Sequence, residues 1–421
     1  MESTFDMLAL SGTLTASIAE LGYTLPTPIQ AAAIPILLKG QDLVGQSKTG
    51  SGKTAAFGLP ILEGIRIENR EVQALILCPT RELVSQVARE IRKLGRGYPS
   101  LSIIELVGGQ PARPQRDALE RGVHIAVCTP GRLLDHIRRK SLRVEGLKTV
   151  VLDEADRMLD MGFGEEVGSI LRVLPGDRQT VLFSATFPDS IQELSRTYQR
   201  NAKRVTIDNP SDDFNDIRQL QLIADRKHKL HSLCWALQNF PHESALVFCN
   251  FKATVAEITG TLRNAGLSVD RLDGDLDQFH RDQVLARFRN QSLRILIATD
   301  VAGRGLDVKG LDLVINYELP AQPDIYVHRI GRTGRAGSQG VAISLATETD
   351  DSRLVAAQEL TGQEIETIPT DSNGQQAQST LLHSLAREPL METILISGGR
   401  KDKIRPGDIL GALTGKAGGL R

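Results

Sequence analysis

The chain has 421 residues, of which 41% are apolar and 24% are charged, so it is long enough for two or three domains with cores of ordinary size. Its 50 basic and 51 acidic side chains leave a net charge of −1, which means that a local patch, and not an overall field, must meet any polyanion. The four cysteines lie scattered in apolar stretches without a CxxC spacing, which argues against a disulfide framework and against a zinc site.

Membrane insertion and secretion are not indicated either. No apolar run approaches the ~18 residues of a membrane-spanning helix, and the amino terminus lacks the basic and apolar regions of a secretory signal. We therefore expect a cytoplasmic protein without a membrane segment. Aromatic residues make up only 4% of the chain, which disfavours a nucleic-acid surface built mainly on base stacking.

Short apolar runs alternate with helical stretches along most of the chain. This alternation predicts an α/β fold with parallel sheets covered by helices on both faces. The predicted strands are 75–78, 124–128, 149–152, 180–183, 245–249, 295–299, 313–317 and 341–345. A polar run with a proline at 208–217 predicts a linker, which divides the chain into α/β domains at 1–207 and 218–370.

The C-terminal part has a different character. Residues 369–380 have almost no apolar content and are typical of a flexible linker, which we place at 371–390. Beyond them, 393–397 predict a strand and 406–413 predict a short helix. Because a single βα unit cannot bury enough surface to fold alone, the segment 391–421 is predicted to be an incomplete domain.

A glycine-rich sequence of the first domain is suited to binding phosphate. Backbone N–H groups at such a turn point at phosphate oxygens, while the lysine adds a positive charge and the threonine offers a hydroxyl to Mg²⁺. The strict pattern requires a glycine where this chain has Ser47, so a flexible Gly/Ser loop is the alternative. The candidate residues are Gly50, Ser51, Gly52, Lys53 and Thr54.

Two carboxylates follow the predicted strand 149–152. The strand delivers Asp153 to the C-terminal edge of the sheet, where open α/β sheets bind ligands, and Glu154 is able to orient or deprotonate water. Taken alone, the pair is equally typical of a solvated helix start. Together with the glycine-rich sequence it predicts ATP hydrolysis at a site where Thr54 and Asp153 hold Mg²⁺.

In order, these and further motifs resemble the DEAD-box ATP-dependent RNA helicases from Phe5 to about Leu360. The resemblance implies two tandem RecA-like domains and an RNA-stimulated ATPase, and in that family alanine is usual where this chain has Ser47. The motifs are Phe5, 22–23, 26–30, 50–54, 79–83, 108–109, 129–132, 153–156, 184–186, Gln278 with Arg281, 299–302, 304–307 and 328–335.

The resemblance assigns further residues to the nucleotide. It implies that Gln30 and a ring from Phe5 or Tyr23 recognise adenine, although a lone glutamine is more often a helix-surface residue. It also places Asp307 among the nucleotide-binding residues.

Two arginines of the second domain, Arg332 and Arg335, are implied to reach the γ-phosphate as arginine fingers. Their three-residue spacing puts them on one side of a helical turn, and ordinary surface arginine is the alternative. Because they lie beyond the linker, we expect a complete site only when the domains close.

Four residues are implied to couple the two ligands. His328 is a candidate general acid, metal ligand or hydrogen-bonding bridge, and a bridge to Asp156 fits the family best. Ser184 and Thr186 are implied to report the nucleotide state to the RNA side, while capping of the following turn is the alternative.

The resemblance also implies an RNA surface. Backbone N–H groups of glycine and threonine, with occasional arginines, suit sugar-phosphate recognition without base reading, so sequence-independent binding is predicted for the core. The implied residues are Thr80, Arg81, Gly108, Gly109, Thr129, Pro130, Gly131, Arg132, Gly274, Arg281 and Thr299.

Residues 392–411 resemble the start of the RNA-binding domain of the bacterial DbpA branch, which is associated with ribosomal RNA of the large subunit. We therefore expect an ATP-dependent RNA helicase that locally separates duplexes in large-subunit assembly, with no obligate protein partner evident. The alternatives are a nucleotide-gated RNA clamp or ribonucleoprotein remodeller, a DNA translocase, and a non-catalytic scaffold. A scaffold would normally lack Lys53, Glu154 or an arginine finger.

Overall fold

The structure is a computed structural model. It describes residues 4–47, 50–207, 214, 216–225, 227–303, 311–334, 339–369, 382, 385, 388–396, 398 and 402–414.

The first half of the chain forms one parallel sheet. Its seven strands are β1 (Leu43–Gln46), β2 (Ala74–Leu77), β3 (Ile103–Leu106), β4 (Ile125–Cys128), β5 (Thr149–Leu152), β6 (Gln179–Ser184) and β7 (Lys203–Thr206). They are ordered β3-β4-β2-β5-β6-β1-β7, so the chain crosses over between most successive strands.

Helices cover both faces of this sheet. They are α1 (Gly12–Glu20), α2 (Pro28–Leu38), α3 (Lys53–Gly64), α4 (Arg81–Leu94), α5 (Ala112–Arg121), α6 (Pro130–Arg138), α7 (Ala155–Asp160), α8 (Gly164–Val173) and α9 (Asp189–Tyr198), with 3₁₀ turns at Phe5–Leu8 and Gly95–Gly97.

The second half repeats the arrangement. Its strands are β8 (Ile217–Ile223), β9 (Ala245–Cys249), β10 (Val269–Leu272), β11 (Ile295–Thr299), β12 (Leu313–Asn316), β13 (Gly340–Ala346) and β14 (Glu366–Ile368), and its helices are α10 (Lys229–Asn239), α11 (Lys252–Asn264), α12 (Gln278–Arg289), α13 (Asp300–Gly303), α14 (Pro323–Ile330) and α15 (Asp351–Thr361). The order β10-β11-β9-β12-β13-β8-β14 is that of the first sheet, strand for strand.

Burial on both faces explains the continuous apolar runs. Side chains of a strand alternate between the faces of its sheet, and in β2 Ala74 and Ile76 enter one core while Leu75 and Leu77 enter the other. All four cysteines are buried free thiols, and burial raises their pKa values. The predicted fold class of two tandem RecA-like domains is confirmed.

The sequence did not reveal six strands, β1, β3, β7, β8, β10 and β14. Two of them, β7 and β14, lie at sheet edges and are largely exposed, so they lack an apolar signature. Ile217, placed in the linker by the prediction, is the first residue of β8. The division into 1–207 and 218–370 stays a prediction.

The C-terminal segment departs from expectation. The strand predicted at 393–397 is not formed at the described residues 393–396. The predicted helix is present as α16 (Pro406–Thr414). In the predicted flexible linker, Leu382 and Leu385 pack against the core of the second domain. The Thr393 hydroxyl lies 2.5 Å from that of Ser292.

Among the described helices, none has the length and apolar character needed to cross a membrane.

Candidate functional site

The candidate residues lie where strands end, at the carboxyl edge of each sheet. In the first sheet the phosphate and metal candidates follow β1 and β5, and the coupling candidates Ser184 and Thr186 lie at the end of β6 between them, whereas the RNA candidates follow β3, β4 and β2. The order of strands therefore separates a nucleotide half from an RNA half on one edge. In the second sheet, Gly274 follows β10 and Thr299 ends β11, which is the neighbour of β10.

The glycine-rich sequence forms the turn that leads into α3. Gly52 precedes the helix with a left-handed φ of 91°, and a Cβ there would collide with the amide of Gln30, so glycine is required twice over. The buried Lys53 donates from Nζ to the carbonyl of Ser47 at 3.0 Å. The hydroxyls of Ser47 and Ser51 lie 3.0 Å apart. Serine at position 47 therefore fits this turn.

Gln30 connects the predicted adenine site to that turn. Its Oε1 accepts from the backbone N–H of Thr27 at 2.9 Å, and its Nε2 donates to the carbonyl of Gly52 at 3.1 Å. The Thr27 hydroxyl donates to the carbonyl of Ser51 at 2.8 Å. With only 1% of its surface exposed, Gln30 is not a helix-surface residue, and its role toward adenine stays a prediction.

The two candidate rings lie together. Phe5 and Tyr23 meet edge to face with centroids 6.1 Å apart, and the Tyr23 hydroxyl donates to Glu90 at 2.7 Å. Burial and the neighbouring Glu90 raise the pKa of Tyr23. Asp307, the remaining nucleotide candidate, lies outside the described residues.

Asp153 has the environment of a metal ligand. It is 3% exposed, and its Oδ1 has no hydrogen-bond partner among the described residues. Burial raises its pKa to about 6, although Lys53 opposes the shift. An isolated buried carboxylate oxygen is costly, and Mg²⁺ is bound through one or two carboxylates with water and substrate phosphates. The residues present therefore fit Mg²⁺, with the partly exposed Thr54 at the start of α3 as the second predicted ligand.

Glu154 is a buried carboxylate paired with an arginine. Burial by itself raises its pKa, but Arg157, Lys53 and Arg332 outweigh burial and hold that pKa at about 2. Arg157 makes a buried ion pair with it through Nη1. Glu154 is therefore an anion at neutral pH, as a carboxylate that accepts a proton from water must be.

The second domain reaches this carboxylate. Arg332 is buried just beyond the end of α14, and its charge acts on Glu154. Since α14 ends at Ile330, Arg332 lies beyond the helix. Arg335 lies outside the described residues. The charges of Glu154, Arg157 and Arg332 also act on His328, so groups of both domains meet in one cleft.

His328 and Asp156 do not form the bridge that the resemblance implies. Within the described structure no hydrogen bond joins them, and Asp156 instead accepts from the backbone N–H groups of Ala185 and Thr186 and from the Thr186 hydroxyl, at 2.8 to 3.1 Å. The backbone N–H of Asp156 lies 3.4 Å from the Ser184 hydroxyl. Both hydroxyls thus contact Asp156, and neither caps α9, which has no side-chain cap. Burial, followed by Arg157, lowers the pKa of His328 to about 4, so this ring is neutral at physiological pH.

Two RNA candidates make contacts between the domains. Arg281 donates from Nε and Nη2 to Glu82 at 3.0 and 2.5 Å and from Nη1 to the carbonyl of Asp273 at 3.1 Å. Arg81 donates to Gln278 at 2.5 Å. Glu82 lies within the motif 79–83 but was not among the predicted site residues, and nothing local in the sequence indicates a partner so far along the chain.

The RNA half of the first sheet gathers positive charge. Burial lowers the pKa of Arg81, and the nearby Arg281 and Arg132 lower it further. Gly109 has a φ of 73° and lies against the Arg81 guanidinium, where a Cβ would collide. Clustered arginines next to a glycine turn suit a phosphate backbone.

A buried glutamine that sequence reasoning missed supports this surface. The Oε1 of Gln115 accepts from Arg132 and from the Nε2 of His136, each at 3.0 Å, while its Nε2 donates to the carbonyl of Val107 at 3.1 Å. It thereby connects the loop after β3 with the helix α6 that follows β4.

The other RNA candidates occupy strand ends and helix starts. The Thr80 hydroxyl caps α4 by accepting from the N–H of Leu83 at 3.2 Å, and Thr299 is the buried last residue of β11. Thr129, Pro130 and Gly131 form the start of α6, and Gly274 lies beside Lys252. Their contacts with RNA stay predictions.

Comparisons with known families match the same regions. Residues 27–194 match the DEAD/DEAH box helicase model, 228–337 match the helicase conserved C-terminal domain, and 393–421 match the DbpA RNA binding domain. The ATP-dependent RNA helicase DbpA of Escherichia coli K12 is 46% identical over 404 residues, which cover 96% of this chain and 86% of that protein.

Solved structures extend the likeness to the arrangement of the domains. Saccharomyces cerevisiae Dbp5 bound to RNA and ADP BeF3 is similar with a TM-score of 0.80 at 33% identity, covering 91% of this chain and all of that one, 100%. A Dbp5 variant bound to Nup159, Gle1, IP6 and ADP has a TM-score of only 0.62 at 32% identity, covering 90% and 99%. The two domains are therefore arranged more as in the RNA-bound complex. From its sheets, its sequence motifs and these relatives, the chain belongs to the DEAD-box ATP-dependent RNA helicases and is DbpA-like.

Proposed function

We propose that this helicase separates short RNA duplexes locally, without long translocation, and that it acts on ribosomal RNA during assembly of the large ribosomal subunit. The observation that carries the first part is the cleft in which Glu154 of the first domain lies within electrostatic reach of Arg332 and His328 of the second. The ribosomal target rests on the DbpA-like tail alone.

In the proposed reaction, this chain's residues bind the nucleotide and orient water. Lys53 and the backbone of Gly50 to Thr54 bind phosphate oxygens, and Glu154 orients the attacking water and accepts its proton. Arg332 and Arg335 stabilise the negative charge that develops on the γ-phosphate. Mg²⁺, held by Asp153 and Thr54, would neutralise phosphate charge when bound.

RNA binding and nucleotide binding favour the same closed arrangement in this proposal. Single-stranded RNA lies along the strand ends that carry Arg81, Arg132 and Gly109, next to the contacts between Arg281 and Glu82 that join the domains. A closed arrangement bends one strand and excludes the other. Since each ligand stabilises the same state, each must raise the affinity of the other by the same factor, and hydrolysis reopens the domains.

A nucleotide-gated RNA clamp is the second candidate. The contacts between Arg281 and Glu82 and between Arg81 and Gln278 join the domains without involving the nucleotide residues. If these contacts hold the closed state for long, the enzyme would grip RNA and seldom release a strand.

The test compares hydrolysis and strand separation by the same 421-residue chain. Steady-state ATP hydrolysis is measured without nucleic acid, with generic single-stranded RNA, with a large-subunit ribosomal RNA fragment, with a scrambled RNA of the same length, and with single-stranded DNA. We expect stimulation by RNA but not by DNA, and strongest stimulation by the ribosomal fragment. Equal stimulation by the ribosomal fragment and the scrambled RNA would exclude ribosomal RNA as a specific target.

A labelled short duplex with a single-stranded overhang then separates the two candidates. Release of the labelled strand within a few turnovers supports the helicase, whereas RNA-stimulated hydrolysis without release supports the clamp. Glu154→Gln serves as the control, because it is expected to retain both ligands without turnover.

A further inference from the structure

A second buried charge lies beside the proposed water-orienting carboxylate. Arg157 belongs to α7, the short helix that begins directly after Glu154, and only 4% of its surface is exposed. Its Nη1 pairs with Oε2 of Glu154, and its backbone N–H donates to Asp156 at 2.9 Å. Neither the sequence motifs nor the proposed reaction assigns a task to this arginine.

The backbone of Glu154 is held in an uncommon conformation. Its φ of 53° and ψ of 52° lie in the left-handed region, which costs a non-glycine residue free energy and persists only where the surroundings impose it. This turn precedes α7 directly and places the Glu154 carboxylate against the guanidinium three residues later. The ion pair therefore depends on this turn. The ion pair in turn fixes the orientation of the Glu154 carboxylate.

Two further donors of Arg157 are not satisfied by the described fold. Its Nε and Nη2 are buried and lack a hydrogen-bond partner in the described parts of the chain. Buried donors without partners are destabilising. By contrast, Arg329 in the second domain uses Nε, Nη1 and Nη2 in five hydrogen bonds. Within the described residues, the hydrogen bonding of the Arg157 guanidinium is therefore directed at Glu154.

We propose that Arg157 is a positioning residue for ATP hydrolysis, which holds the carboxylate of Glu154 in the orientation that activates the attacking water. The inference rests on the proposed role of Glu154 and adds the residue through which that carboxylate is aimed. A guanidinium suits the task because its planar fork fixes the direction of a carboxylate, whereas an ammonium supplies charge without direction.

The first experiment measures kcat and KM for ATP, at saturating RNA, for Arg157→Gln and Arg157→Lys. A misplaced reacting group costs on the order of 100-fold in rate, so Arg157→Gln should lower kcat by about that factor while KM for ATP and RNA affinity stay within about threefold. Arg157→Lys should recover part of kcat, since the charge returns without the fork.

A matched control comes from Arg178 of the same domain. It is 7% exposed, its Nε also lacks a partner within the described residues, and it donates only to the backbone carbonyls of Leu174 and Pro175. Arg178→Gln thus removes a similarly buried arginine away from the cleft. We expect Arg178→Gln to retain the parental kcat. An equal loss of kcat in both variants would mean that Arg157 has only a structural role.

The second experiment places Arg157→Gln in a Glu154→Gln background and follows a single turnover. If Arg157 acts through Glu154, the double variant should be no slower than Glu154→Gln alone. A further loss would mean that Arg157 acts independently, and a parental kcat in Arg157→Gln would overturn the proposal outright. The double variant also removes both charges, so it tests the idea even if Arg157→Gln alone unfolds because Glu154 is left unpaired.

The two proposals fail in different ways. Parental turnover in Glu154→Gln would overturn the role of Glu154 and this inference with it. An inactive Glu154→Gln beside a fully active Arg157→Gln would overturn this inference only.

Discussion

The two sheets of this protein share one strand order, yet the described residues at their carboxyl edges have different surroundings. Two residues beyond β5 stands Glu154, and two residues beyond the corresponding strand β12 stands Glu318. Glu154 lies in the cleft between the domains, whereas Glu318 accepts from the backbone N–H of Asn250 at 2.7 Å inside its own domain. Equivalent carboxylates therefore have different surroundings.

Arg329 accounts for much of the difference. It is 1% exposed and occupies the carboxyl edge of the second sheet, where it donates to Asp300, Asn250, Asn316 and the carbonyl of Glu318. In the first sheet the corresponding edge keeps an unpartnered oxygen on Asp153, as judged over the described residues. The same strand end is therefore filled by an arginine in the second sheet, whereas in the first it leaves a carboxylate oxygen able to accept a ligand.

The sharpest test of this contrast exchanges each carboxylate for an amide. Glu154→Gln should lower RNA-stimulated kcat by a factor of about 10² to 10⁴, the range for loss of a general base, while ATP and RNA affinity persist. Glu318→Gln should leave kcat unchanged. Steady-state hydrolysis and equilibrium binding check both, and parental turnover in Glu154→Gln would be contrary to the assignment.

Replacing Arg329 should leave the carboxyl edge of the second sheet unfilled and lower the free energy of unfolding. Arg329→Met leaves Asp300 without its buried partner, which costs about 3 to 5 kcal/mol in the free energy of unfolding. Trp235, the single tryptophan, lies in α10 of this domain, so its fluorescence during urea unfolding reports the loss. Arg294→Met is the control, because it removes another buried arginine of the same domain, one that donates to the carbonyl of His242. An unfolding transition of Arg329→Met at no lower urea concentration than that of the control would contradict the role given to Arg329.

Acidification should weaken closure of the two domains, because it protonates His328. Its pKa is about 4 in the closed cleft, against an ordinary value of 6.5, because burial and then Arg157 disfavour the charged ring. Protonation therefore favours the open state: closure is unaffected above pH 6.5 and weakens as pH falls toward 4, by about 3 kcal/mol in all.

Energy transfer between a dye on each domain, measured from pH 7.5 to 5 with nucleotide and RNA bound, follows this effect. His328→Gln stays neutral and should show a flatter profile, whereas identical profiles would exclude His328 as the cause. The other charged groups that act on the ring are Arg157, Glu154, Arg332 and Asp156, and they are present in both proteins.

The smallest expected effect is on RNA affinity and concerns the RNA half of the first sheet. Gln115→Ala removes the acceptor that orients Arg132, and RNA affinity should fall about tenfold, or about 1.4 kcal/mol, without a change in ATP affinity. Gln219→Ala is the control, because that buried glutamine of β8 bonds to Gln363 and Tyr326 away from the strand ends. Equal RNA affinities of the two variants would contradict the role of Gln115.

Sequence reasoning identified those parts of the fold whose signal is local. Strands buried on both faces appear as apolar runs, whereas the edge strand β7 is largely exposed and gave no such run. The strand predicted at 393–397 shows the converse, because an apolar run forms a strand only beside a partner strand, and none is described next to 393–396.

The site was predictable as a set of residues but not as a set of contacts. The motifs identified Glu154, yet its pairing with Arg157 depends on a left-handed turn that no composition reveals. Arg81 and Arg281 were assigned to RNA, and only the folded structure brings them to Gln278 and Glu82 of the opposite domain. Long-range partners of this kind depend on how the domains meet.

The buried cysteines have a practical consequence for measuring these motions. All four thiols lie inside the domains, and burial raises their pKa values, so little nucleophilic thiolate forms near neutral pH. Maleimide dyes should therefore react at cysteines introduced on the surface and spare the native ones. The natural sequence thus already serves as a background for site-specific labelling, without replacing a single core residue.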